Sequence, residues 1–149
     1  MTGPAEGGGN APGGAPEPMV GVVLVSHSHE VASSVATLAS GLAGKGHLAP
    51  VVPAGGTPDG GVGTSSELIT EAAWRADQGV GVAILVDLGS AVLTVRALLA
   101  EGDVLPPAAR LVDAPLLEGA VAAVLTASTG ADLDAVEAAA SDAWDYRKV

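Results

Sequence analysis

The 149-residue chain sets six Lys and Arg against 17 Asp and Glu, for a formal net charge of −11, and it has no cysteine. That charge excludes a nucleic-acid binder, which needs a basic surface to displace counterions, and it disfavours an anionic membrane surface. Without thiols there are no disulfides and no thiolate metal sites.

Hydrophobic residues make up 48% of the chain but aromatics only 2%, so a core must be built from Val, Leu, Ile and Ala. This suits buried parallel strands covered by Ala-rich helices. The acidity points to protein partners with a basic docking face. No apolar run reaches the roughly 20 residues that span a bilayer. The N-terminus lacks the basic start and apolar stretch of a secretory signal. A cytoplasmic location is expected.

Residues 1–18 (MTGPAEGGGNAPGGAPEP) have no periodic apolar positions and are expected to form a disordered tail. Met19 immediately precedes the first strand and is a possible native start, which the intact mass of the native protein would test. The folded domain is expected over 19–149. Met19–Ser26 is a short continuous apolar run, the pattern of a buried strand. Ser28–Leu42 has helical spacing, with Val31, Val35, Leu38, Ala39 and Leu42 on one face, and Gly44 and Gly46 stop it. His47–Pro53 is a second strand and 54–63 a Gly-rich loop. Thr64 or Ser65 caps a helix over Ser66–Asp77, with Glu67 in its first turn. Val80–Val86 is a third strand, Asp87–Gly89 a turn and Ser90–Glu101 a third helix. A short strand, Ala109–Val112, precedes helices over Leu117–Ala127 and Asp132–Trp144, the last capped by Asp132.

This alternation implies an α/β, flavodoxin-like, doubly wound and mainly parallel four-stranded sheet, with order 2-1-3-4 and helices on both faces. In such sheets chemistry sits beyond the carboxyl ends of the strands, at the switch point between strands 1 and 3. Strand 1 ends in Val25-Ser26-His27-Ser28 and strand 3 in Val86-Asp87-Leu88-Gly89-Ser90. One His and one Asp therefore fall together where neither helps the core. A neutral imidazole is a nucleophile toward phosphorus, and a carboxylate on its other nitrogen fixes the tautomer and stabilises the cationic ring. His27 is thus the expected phosphoryl acceptor and Asp87 its orienting partner. Helix starts supply free N–H groups for phosphoryl oxygens, and Ser28, Ser90 and Thr64 add hydroxyls.

Plainer readings stand beside these. Asp87, Thr64 and Ser65 are ordinary helix caps. His29 is an alternative acceptor, but in the first helical turn it should point away from the strand end. His47 is a structural residue at a strand start. The Gly-rich loop lacks the Lys of a P-loop and the G-x-G-x-x-G spacing, and reads as a loop near the site. No His, Asp and Glu set has metal-ligand spacing. No cofactor is expected: a flavodoxin-like binding module would need aromatic residues to stack on a flavin.

Val25-Ser26-His27-Ser28, Gly63-Thr64-Ser65, Asp87-Leu88-Gly89-Ser90-Ala91 and Ala114-Pro115-Leu116-Leu117-Glu118-Gly119 occur in this order. Together they resemble the mannose-family enzyme IIA domain, most closely the branch serving the phosphoenolpyruvate-dependent dihydroxyacetone kinase of bacteria. The resemblance covers Met19 to the last helix. It implies that the His after strand 1, here His27, accepts phosphate from the phosphocarrier HPr, and that Asp87 orients it. Gly63, Thr64, Ser28, Gly89 and Ser90 would support the phosphate. The receiver would be ADP held by a DhaL subunit, which phosphorylates dihydroxyacetone carried by DhaK. The resemblance also implies a homodimer. HPr-like and enzyme I-like domains found in some members are missing, so a separate HPr is expected. The alternative is an enzyme IIA of a mannose-type sugar transporter passing phosphate to an enzyme IIB. Asp87-Leu88-Gly89-Ser90 favours the first, because the transport branch commonly has a longer Trp- and Gly-containing turn there.

Overall fold

A computed structural model describes residues 16–149. The expected tail lies outside the described residues except for 16–18, which are exposed coil. Four strands, β1 (Gly21–Ser26), β2 (Val51–Gly55), β3 (Val82–Val86) and β4 (Ala109–Leu111), pair in parallel in the order β2-β1-β3-β4. Among the described residues five α-helices connect and follow them: α1 (His29–Ala43), α2 (Ser66–Ala76), α3 (Gly89–Ala100), α4 (Leu116–Ser128) and α5 (Leu133–Asp142), the last running into a 3-10 turn at Ala143–Asp145. The sheet class and strand order are those expected from the alternation of elements.

Alternation along the central strands divides the core in two. Val22 and Leu24 of β1 join Ala83 and Leu85 of β3 under α1, α4 and α5. Val23 and Val25 join Val82 and Ile84 under α2 and α3. Successive side chains of a strand point to opposite faces, so a strand covered on both sides must be apolar throughout. With aromatics absent from the core, helices approach closely through alanines: Ala36 and Ala39 of α1 join Ala120, Ala123 and Ala127 of α4 in one cluster.

Several boundaries differ from the sequence reading. Strand 2 was expected over His47–Pro53; it runs from Val51 to Gly55. His47 is an exposed bend residue, not a strand start. The Ala49 N–H is drawn to Ser128 Oγ of α4 (2.9 Å), away from the ladder. At the other end, pairing continues until Gly55 lies opposite Ser26. Pro50 O and the Gly56 N–H bond to β1, so by alternation Pro53 turns its nitrogen to the open edge, where no donor is needed. Strand 3 starts at Val82 rather than Val80, because the chain is still turning through Gly79 and Gly81, both at positive φ. The buried face of α1 is also rotated. Ala39 is inside as expected and Val35 packs partly buried, but Ala32 and Ala36 are also inside, whereas Val31, Leu38 and Leu42, expected inside, are exposed. Small side chains permit the close α1–α4 approach, and the larger residues are left on the flank. Ser65, not Thr64, caps α2, accepting from the Leu68 N–H. Asp132 caps α5 as expected. Among the described residues no helix is long and apolar enough to cross a membrane.

Candidate functional site

The connections from β1 and β3 leave on opposite faces of the sheet, and the gap between their carboxyl ends holds His27 and Asp87. Ser28 ends the strand by capping α1: its Oγ accepts from the Val31 N–H at 3.2 Å. This cap starts the helix one residue after Ser28 and leaves His27 in the β1–α1 corner. The His27 peptide is held on both sides. Its N–H donates to Asp87 Oδ2 (3.0 Å), and its carbonyl accepts from the Gly63 N–H (3.0 Å). The Gly55 end of β2 presses against the same corner. A Cβ on Gly55 would lie 2.3 Å from Ser28 O, so only glycine lets the two backbones approach this closely.

The imidazole lies between two side chains. Nδ1 is 3.0 Å from Asp87 Oδ1, and Nε2 faces Ser90 Oγ at the start of α3. Both the His27 and Asp87 side chains are mostly covered, at 22% and 17% exposure, so water screens their interaction only partly. Asp87 accepts from four donors. Oδ1 takes the imidazole and the Leu88 N–H (2.7 Å); Oδ2 takes the His27 N–H and the Ser26 hydroxyl (2.9 Å). Burial raises the carboxyl's pKa, but the donors from His27, Ser26 and Leu88 outweigh that effect and hold it below the ordinary aspartate value. An ionised Asp87 on Nδ1 favours the tautomer with the proton there, leaving the Nε2 lone pair toward the Ser90 hydroxyl.

Local pattern alone assigns no role to Ser26, whose hydroxyl donates to Asp87 Oδ2. Among the described residues it is the one buried polar side chain, 1% exposed, and it also accepts from the Ser28 N–H at 3.1 Å. A single serine closing an otherwise apolar strand was the signal for it. Of the residues named from sequence, Gly89 opens α3, whose N-cap Leu88 has no side-chain cap bond. The α3 N-terminus is thus not capped by Asp87. Thr64 Oγ1 lies 3.2 Å from Thr94 Oγ1, and Thr94 in turn donates to Ser90 O. Gly63 gives its N–H to the His27 carbonyl. Exposed His29 lies instead along the β2 edge, lining a hollow with Glu71 and Arg75. No group of three or more His, Cys, Asp and Glu suited to a metal ion occurs among the described residues.

The sequence model of the EIIA-man family, described as PTS system fructose IIA component, matches residues 21–137. The chain belongs to this family. Similar proteins include the PEP-dependent dihydroxyacetone kinase phosphoryl donor subunit DhaM of Pantoea ananatis, 36% identical over 123 residues. That match covers 79% of this chain and 25% of the relative. DhaM of kinase 1 from Listeria innocua is 35% identical over 107 residues, covering 68% of this chain and 77% of the relative. The chain therefore spans about a quarter of the length of DhaM from Pantoea ananatis and Escherichia coli, but most of the shorter Listeria innocua protein. A crystal structure described as that of a protein of unknown function, EF1359, superposes with a TM-score of 0.68 at 31% identity, covering 81% of this chain and 92% of that one.

Proposed function

We propose that this enzyme IIA chain is a phosphoryl carrier of a phosphoenolpyruvate-dependent dihydroxyacetone kinase, working through a phosphohistidine at His27. The observation that carries this reading is the imidazole pinned by Asp87 at Nδ1, with Nε2 left toward the α3 N-terminus. Nε2 attacks the phosphorus of phospho-HPr, and the donor imidazole leaves. The new N–P bond places positive charge on the ring, which Asp87 offsets through Nδ1–H. Ser90 Oγ, beside Nε2, and the Gly89 and Ser90 N–H groups at the start of α3 would donate to phosphoryl oxygens. Thr64 and Gly63 act less directly, through Thr94 and the His27 carbonyl. Ser28 is committed as the α1 cap acceptor but keeps its hydroxyl proton to donate.

The phosphate then passes to ADP held by a DhaL-type subunit and from there to dihydroxyacetone on DhaK. The similarity to DhaM phosphoryl donor subunits supports this receiver. We take the carrier to be a homodimer. The test is acid-labile label transfer from phospho-HPr, followed by addition of the DhaL-type subunit with ADP. His27→Ala should abolish uptake and His29→Ala should leave most of it. Labelling of the His27→Ala protein at the normal rate would overturn the assignment.

A further inference from the structure

Beside the His27 site, on the other side of Asp87, lies a cleft of about 380 Å³ between the carboxyl ends of β3 and β4. It shares Asp87, Leu88 and Gly89 with the transfer site, and Arg96 of α3 and Trp144 also line it. The chain has only six Lys and Arg and three aromatic residues, so the meeting of one of each in a single cleft calls for a reason. Arg96 falls seven residues after Gly89 and four after Val92, on the helix face turned to the cleft. Helical side chains lean toward the N-terminus, which directs the guanidinium back toward the transfer site. Among the described residues Arg96 has no carboxylate partner, whereas Arg110 and Lys148 do. The two acids that line the cleft are already engaged: Asp87 by its four donors and Asp113 by the Trp144 Nε1–H.

We propose that this cleft receives the diphosphate of the acceptor nucleotide, with Arg96 as its cationic contact; the inference rests on the carrier reading above. In the transfer step an oxygen of the terminal phosphate of ADP attacks the phosphorus on His27. The new P–O bond forms as the Nε2–P bond breaks, and the electron pair returns to Nε2, leaving a neutral imidazole protonated at Nδ1. The acceptor brings a second phosphate and a ribose that must lie beyond the reacting group, next to a phosphohistidine and Asp87 that repel them. A guanidinium beyond Asp87 offsets that repulsion and can hold phosphate oxygens in a fork. The first transfer, from phospho-HPr, brings no such second phosphate and does not call on the cleft.

The test uses the full chain, labelled on His27 and mixed with increasing amounts of the partner subunit loaded with ADP. Arg96→Ala should take up phosphate from phospho-HPr within about twofold of the wild-type rate. It should pass the phosphate to ADP about 10- to 100-fold more slowly at saturating partner, the size expected for losing a charged hydrogen-bond donor. Arg96→Lys should recover part of the loss, because it restores the charge without the fork. Unchanged transfer in Arg96→Ala, or uptake slowed as much as transfer, would overturn the role of the cleft while leaving the carrier reading standing. A wild-type chain that is labelled but passes nothing to partner-held ADP would overturn both.

Discussion

Asp87→Asn is the most informative substitution, because the geometry fixes what an amide can and cannot do there. Each carboxylate oxygen accepts from two donors, and each pair includes a backbone N–H: Leu88 at Oδ1 (2.7 Å) and His27 at Oδ2 (3.0 Å). A side-chain hydroxyl can turn its proton away, but a backbone N–H cannot. Whichever way the carboxamide is flipped, its NH2 group therefore faces a backbone donor. One backbone N–H is left unsatisfied at a cost of about 1–3 kcal/mol, and the remaining bonds lose their charge assistance. We expect a net loss of about 3 kcal/mol, which for a chain of this size lowers Tm by roughly 10 °C. The protein should still fold, since most of the core lies elsewhere. Phosphoryl uptake should slow by about 10- to 100-fold, because the ring loses the anion that stabilises its cationic product and fixes its tautomer. Thermal unfolding followed by circular dichroism and single-turnover uptake from phospho-HPr measure the two effects. A variant that melts within about 1 °C of wild type and labels within twofold of its rate would refute the four-donor account of Asp87.

Two further expectations follow from the same corner. The Asp87 carboxyl is held below its ordinary value, so its contribution to stability is fully present above about pH 4 and is lost as pH falls through the lower native value. Wild-type Tm should consequently fall more steeply with acid below about pH 4 than that of Asp87→Asn, and parallel acid profiles would exclude the contribution. Gly55→Ala should cost about 2 kcal/mol or more and displace His27, because the added methyl meets Ser28 O at 2.3 Å. Chemical denaturation together with uptake kinetics would show it, and a variant with normal values of both would mean that the β2–α1 corner relaxes freely.

Much of the fold was legible because it depends on composition and period. Apolar runs such as Val22–Val25 and Val82–Leu85 read as strands covered on both faces, and four strands alternating with helices leave few topologies. That topology alone brought His27 and Asp87 to adjacent strand ends. The sequence could not say which face of α1 is buried, since Val31, Leu38 and Leu42 form as good an apolar stripe as Ala32, Ala36 and Ala39. The choice belongs to α4, whose own alanines accept only small neighbours at close range. Nor could it locate β2, whose limits depend on where Ala49 and Gly55 meet partners distant in sequence. At the site, residue types determined the chemistry available, an imidazole and a carboxylate. Only the tertiary arrangement decided that Nδ1 meets Asp87 and Nε2 meets Ser90, that Ser26 and the His27 N–H hold the carboxylate, and that Arg96 and Trp144 line a cleft beside it. Those relations depend on distances of about 3 Å between segments some sixty residues apart, which local pattern does not encode.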